Sequence, residues 1–298
     1  ARERLRMFRI ARSLVAFGSL AALASPRQVL ADAPVPPVPA ARPARGVAIV
    51  TGGGRGIGAA CSEAMAAKGY AVVIAYQADS VSADAVCRRI GAAGGAACAV
   101  RCDVGVEEDV VNLFRVADSA FGGGVPLSVL VNNAGILGPR TDDLSACTER
   151  GADDLLDVVR TNVAGPLLAI REAQKRMSTA HGGKGGAIVQ ISSGSAYIGS
   201  PLLYGASKGA LNSLTIGLVA PLAKQGIRIN TVSPGMTDTD MVAESARTFD
   251  FNQIPLGRMG TPQEIADAVV WLCSDEASYV AGANLRVAGG RPPGTTLG

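Results

Sequence analysis

A chain of 298 residues, 48 % hydrophobic and 18 % charged, is long and apolar enough to bury a sizeable core. The formal net charge is +3, and arginines near the N-terminus supply much of it, so the rest carries no basic excess of the kind that marks nucleic-acid binding. One histidine, His181, argues against Ser-His-Asp hydrolysis and His-rich metal catalysis. The six cysteines form no Cys-x-x-Cys pair and read as small buried thiols in a reducing, cytoplasmic setting with no metal.

Residues 1–45 differ in composition from the rest of the chain. An Arg-rich start and a short apolar run lead into the Pro-rich "DAPVPPVPAARPAR". The apolar run is too short to span a bilayer. The segment reads as a secretory signal, an organelle presequence or a plain extension, and it stands outside the fold.

From residue 46 to 290, short apolar runs alternate with longer amphipathic ones. "VAIVTG" predicts a strand and "GAACSEAMAAKG" a helix. "AVVIAY" is a strand, "SADAVCRRIGAAG" a helix and "AACAVRCDV" a strand. "EEDVVNLFRVADSAFG" is a helix that starts on acids, and "LSVLVNNAG" is a strand. "GAIVQISS", "GIRINTVSPG" and "NLRVAGG" are later strands, and residues 291–298 form a tail. Strands apolar throughout need both faces covered, which predicts the parallel sheet of an α/β doubly wound fold.

The first strand runs into "TGGGRGIGAA", residues 51–60. Glycines at 52, 56 and 58 allow a tight turn, close approach of backbone N–H groups to a pyrophosphate, and packing of the helix on the strand. The helix N-terminus then faces the phosphates. An acid at the end of the second strand would bind an NAD ribose, but Tyr76 and Gln77 stand there, and Asp79 comes later. Arg55 inside the loop can grip a 2′-phosphate through paired hydrogen bonds. NADP(H) is therefore expected over NAD(H), with NAD(H) as the alternative.

"TGGGRGIG", "NNAG", "YGASK" and "SPG" occur in that order. With them the chain resembles the short-chain dehydrogenase/reductase family over about residues 46–290, and its 3-oxoacyl-carrier-protein reductase and glucose 1-dehydrogenase-like branch most. The resemblance implies a single Rossmann-type domain with a parallel sheet of about seven strands, a homotetramer or homodimer, a small carbonyl or alcohol substrate, and a catalytic set of Asn162, Ser193, Tyr204 and Lys208. Ser192 is the alternative serine, because the loop between serine and tyrosine is shortened; Ser195 and Tyr197 read as loop residues. By the same matching, Gly52, Arg55, Gly56, Ile57 and Gly58 hold the cofactor. Asp103 lies by the adenine, Asn132, Ala134, Gly135, Pro234 and Gly235 line the cofactor, Tyr204 and Lys208 adjoin it, and Thr239 reaches the carboxamide end.

The chemistry suits these groups. Tyr204 supplies the proton for an alkoxide, and Lys208 four residues on shares its helical face. A free tyrosine has a pKa of about 10. An ammonium at ~4 Å and an effective dielectric of ~20 contributes about 4 kcal/mol, or ~3 pKa units, toward the phenolate. A serine holds the carbonyl oxygen, and Asn162 tethers a relay water. The competing reading is a non-catalytic regulatory or scaffolding protein that binds NADP(H) on the same fold. Met236 to Met259 is expected to cover the substrate, and it has no basic run to recruit an acidic carrier protein.

Overall fold

The computed structural model describes residues 45–242 and 249–294. The expected N-terminal extension, except Arg45, lies outside the described residues. So do 243–248 of the expected substrate cover and 295–298 of the tail.

Seven strands form one sheet: β1 (Val47–Thr51), β2 (Ala71–Tyr76), β3 (Ala97–Arg101), β4 (Leu127–Asn132), β5 (Gly186–Ile191), β6 (Ile227–Pro234) and β7 (Asn284–Val287). Their order is β3-β2-β1-β4-β5-β6-β7, and every neighbouring pair is parallel. Parallel strands need crossovers, and helices supply them. These are α1 (Gly56–Ala67), α2 (Ser80–Ala92), α3 (Glu107–Ser119), α4 (Leu144–Cys147), α5 (Ala152–Val159), α6 (Gly165–Met177), α7 (Ser195–Ile198), α8 (Leu202–Ala223) and α9 (Pro262–Cys273).

Alternation along the strands divides the core into two layers. Ala48, Val50, Val72, Ile74 and Val131 face α1, α2 and α9, where Met65, Ile90 and Val269 meet them. Val47, Ile49, Val73 and Leu130 face α3 and α6, where Leu113, Phe114, Ile170 and Met177 pack. Burial on both faces is why the strands read as unbroken apolar runs. All six cysteines are buried free thiols; Cys61, Cys87 and Cys273 lie in the first layer, Cys98 and Cys102 in the second, and Cys147 on α4.

Strand order reverses between β1 and β4, opening a crevice at the carboxyl ends of the strands. Here the strands stop short of their sequence-based limits. β3 ends at Arg101, β4 at Asn132 and β5 at Ile191. After β4 the ladder ends because Asn133 N–H donates to Thr51 Oγ1 at 3.0 Å, whereas Cys102 N and Ser192 N still donate to Tyr76 O and Val232 O of the neighbouring strands.

Candidate active site

The glycine wall is made of backbone. Gly52 has φ +62° and Gly56 φ +49°, a conformation that glycine adopts without strain. A Cβ on Gly58 would collide with the Gly52 carbonyl oxygen. α1 has no acid in its first turn and no side-chain cap, so its N–H groups and positive end stay open to an anion. Ile57 is half-buried behind the loop.

Thr51 and the residue after Asn132 lock β1 to β4. Thr51 Oγ1 accepts from Asn133 N and Ala134 N, while Asn133 Nδ2 donates to Thr51 O at 3.0 Å and to Gly52 O at 3.1 Å. Asn133 therefore braces the turn, a role the sequence reading did not assign. Asn132 was expected at the cofactor, but its side chain is buried in the sheet interior and donates to Gln190 Oε1 and Pro166 O. Alternation sends neighbouring residues of an extended strand to opposite sides, so only one of the two asparagines can reach the turn.

Asp103 follows β3 and accepts from Gln77 Nε2 and Gly105 N, each at 2.9 Å. Arg55 is largely exposed and lies 3.6 Å from an Asp79 carboxylate oxygen and 3.9 Å from one of Asp240. Asp79 itself caps α2, accepting from Ser82 N and Ser82 Oγ. Those hydrogen bonds, with Arg55 behind them, hold its carboxyl below the usual range. Thr239 reaches across to the glycine wall, its Cγ2 3.1 Å from where a Gly56 Cβ would stand.

The opposite wall is made of side chains on α8. Tyr204 and Lys208 are both buried on one helical face, with the Lys208 nitrogen 5.6 Å from the Tyr204 ring centroid. Lys208 Nζ donates to Ile191 O at 2.8 Å, which pins it to the end of β5. Burial pushes its pKa down to about 8. Burial also raises the Tyr204 hydroxyl above its ordinary value, and a hydrogen bond with Ser193 works the other way. The sequence leads one to expect a lowering by lysine; in the structure the direction is upward, set by the cost of desolvating a phenolate.

Which serine faces Tyr204 is a matter of alternation. Ser192 Oγ donates to the Lys208 carbonyl at 3.0 Å and so ties β5 to α8. Ser193 points the other way, to the Tyr204 hydroxyl, and accepts from Ser195 N at 3.1 Å. Gly194 N donates to Pro234 O, and Gly235 N to Val287 O, so the "SPG" backbone braces the Ser193 turn.

Asn162 lies in a π-helical turn, Arg160–Ala164, between α5 and α6. Its amide is fully buried. Oδ1 accepts from Ile136 N at 2.9 Å, and Nδ2 donates to Ile136 O and to Ser207 Oγ. Ser207 in turn donates to Tyr204 O. The side chain expected only to tether water is therefore a clamp joining the segment after β4 to α8. A Cβ on Gly135 would lie 3.2 Å from Asn162 Oδ1 and 3.3 Å from Lys208 Nζ, so those two atoms converge on the face of Gly135 that a side chain would occupy.

A tyrosine hydroxyl, a partnering serine hydroxyl and a buried lysine thus stand across one crevice from a glycine turn at an uncapped helix N-terminus. A family profile described as enoyl-(acyl carrier protein) reductase matches residues 52–291. The chain belongs to the short-chain dehydrogenase/reductase family. It is 42 % identical over 254 residues to the uncharacterized oxidoreductase YgfF of Escherichia coli K12, covering 82 % of this chain and 99 % of that one. It is 36 % identical to glucose 1-dehydrogenase 2 of Bacillus subtilis, covering 82 % and 93 %. A short-chain dehydrogenase from Burkholderia cenocepacia, solved in complex with NADP, superposes with a TM-score of 0.73 at 33 % identity, covering 82 % and 96 %. As a member, this chain is a hydride-transfer oxidoreductase of CH–OH and carbonyl groups. Among the described residues no helix is long and apolar enough to cross a membrane, and no group of side chains could hold a metal ion.

Proposed function

We propose that the protein is an NADP(H)-preferring reductase of a small ketone or aldehyde, with Tyr204 as its acid. When bound, the nicotinamide supplies or accepts the hydride. The residues around it fit such a cofactor: a glycine turn with no room for side chains, an uncapped helix N-terminus, and Gly135, where a Cβ would crowd Asn162 Oδ1 and Lys208 Nζ. Gly52, Gly56, Ile57 and Gly58 would hold the pyrophosphate, Asp103 the adenine side, and Ala134, Gly135, Pro234, Gly235 and Thr239 the nicotinamide side.

One observation carries the reading: the Ser193 and Tyr204 hydroxyls meet beside a lysine buried to a pKa of about 8. Burial keeps Tyr204 protonated at neutral pH, the form that reduction needs. Ser193 positions the carbonyl oxygen against it. Lys208 is mostly an ammonium at pH 7 and stabilises the phenolate left when Tyr204 gives up its proton. Asn162 Oδ1 and Lys208 Nζ are placed to share a water beside Gly135, through which the proton is replaced.

The cofactor preference rests on Arg55. Its two carboxylate neighbours are solvent-exposed partners at 3.6 and 3.9 Å, and such pairs hold a guanidinium weakly. Asp79 is engaged with α2, which leaves the end of β2 to Tyr76 and Gln77 rather than to an acid for a ribose hydroxyl. Exposed Leu155, Leu156 and Val159 on α5 and Ile216 on α8 support the homotetramer or homodimer. Initial rates over a panel of carbonyls and sugars, with NADPH and NADH, test the reading. We expect NADPH to lead by at least tenfold in kcat/KM, and the lead to shrink in Arg55→Ala. A tenfold NADH preference contradicts the role given to Arg55.

A further inference from the structure

Gly205 follows Tyr204 in the interior of α8. Glycine in a helix interior is less favourable than alanine, so helix propensity does not explain it. Its backbone is ordinary helix, so no special dihedral asks for it either. The reason is contact. A Cβ on Gly205 would stand 2.9 Å from the Ser195 carbonyl oxygen, 2.9 Å from the Gly199 carbonyl carbon and 3.1 Å from Gly199 Cα, all of them backbone atoms. Gly209 and Gly217 of the same helix would meet nothing within 4 Å.

The atoms in contact belong to the turn that carries Ser193. Ser193 Oγ accepts from Ser195 N at 3.1 Å, and Ser195 O accepts from Gly199 N at 2.9 Å. Gly199, Ser200 and Pro201 alone join α7 to α8, and Gly205 N donates to Pro201 O at 2.7 Å. The turn is also held from outside. Ser200 Oγ donates to Asp142 Oδ2 at 2.8 Å, and Leu202 N donates to Thr141 O at 3.3 Å. The Arg286 guanidinium lies 5.1 Å from the Tyr197 ring centroid. A side chain at 205 is therefore not relieved by the turn swinging freely outward. It pushes α7, and with it the backbone that carries the Ser193 hydroxyl, away from Tyr204.

We propose that Gly205 is a positioning residue for the reaction: having no side chain, it seats the Ser195–Gly199 turn on α8 and so sets the Ser193 hydroxyl against that of Tyr204. It acts through Ser193 and takes no part in proton or hydride transfer itself. The substrate carbonyl is then held by two hydroxyls whose separation depends on one contact between a helix and a turn. Misplacing such a group by about 1 Å costs up to about 100-fold in rate. This inference rests on the roles given to Ser193 and Tyr204 above.

Two measurements test it. Crystal structures of the wild type and of Gly205→Ala read the separation of Ser193 Oγ and Tyr204 Oη without turnover. We expect a hydrogen bond in the first and its loss in the second. Steady-state reduction with NADPH then gives kcat for the wild type, Gly205→Ala, Ser193→Ala and the double variant. Gly205→Ala should lower kcat by about ten- to 100-fold while NADPH affinity stays within a few-fold. With Ser193 already alanine, the same change should cost less than about twofold, because the two substitutions remove one interaction. An equal loss in both backgrounds overturns the proposal, since the glycine would then serve packing alone. So does a Gly205→Ala chain with wild-type kcat, or a pair of structures in which the two hydroxyls are equally placed. If Gly205→Ala does not fold, three glycines inserted after Gly199 free the turn from α8 without adding a side chain. The same fall in kcat is then expected, and an unchanged kcat overturns the proposal. If the wild type reduces no carbonyl with either cofactor, the oxidoreductase reading fails, and the structures still decide whether Gly205 sets the contact.

Discussion

Gly58 and Tyr204 face one crevice from opposite walls and serve it by different means. At Gly58 the useful feature is space: backbone N–H groups and a helix end act only if no side chain intrudes. At Tyr204 it is chemistry held under burial, a hydroxyl and an ammonium whose proton affinities depend on the lost water. The first wall should fail by size and the second by function at unchanged size.

The largest loss expected on the glycine wall follows Gly58→Ala. Its Cβ meets the Gly52 carbonyl oxygen, so the turn must move. Losing one or two charge-assisted hydrogen bonds to phosphate costs about 2–3 kcal/mol, roughly 30- to 150-fold in cofactor affinity. NADPH fluorescence titration measures it, with a melting curve to show that the chain folds. An unchanged Kd would remove the turn from the site.

On the other wall, pH gives a smaller and graded effect. Lys208 holds its proton below about pH 8 and loses it above, while Tyr204, raised by burial, stays neutral through that range. Reduction should therefore be level from about pH 6 to 7.5 and decline through pH 8, and Lys208→Met should lose that step along with most activity. The same depressed pKa acts on stability. Between about 8 and the ordinary lysine value of 10.5, the unfolded chain binds the extra proton, so this residue adds stability as pH rises through that window. A reduction profile flat to pH 10 would contradict the role of Lys208.

The two walls also differ in how far the sequence could reveal them. The seven strands, their parallel order and the glycine turn were legible because burial on both faces and glycine at a tight turn leave local marks at positions such as Val47 to Gly58. The Tyr204–Lys208 pairing was legible because four residues make one helical turn. The roles of Asn133 and Ser192 were not. They depend on which side of a strand end each residue faces, and a register of one residue reverses that. The π-helical turn around Asn162 leaves no distinct residue pattern, and it turns the amide toward Ile136 and Ser207. The raised pKa of Tyr204 was missed for another reason: a pairwise estimate of the lysine omits the desolvation that only a packed structure supplies. Arg286 and Tyr197 passed as an ordinary strand residue and a loop residue because nothing in their spacing brings them together.

The central claim is that the Tyr204 hydroxyl is the acid, and Tyr204→Phe removes that one oxygen while keeping the ring. Measured beside the wild type on a reducible carbonyl with NADPH, the variant should lose about 10²- to 10⁴-fold in kcat. Its NADPH affinity, read by fluorescence titration, should stay within a few-fold of the wild type. Turnover near the wild-type rate in a folded, cofactor-binding Tyr204→Phe chain would contradict the account.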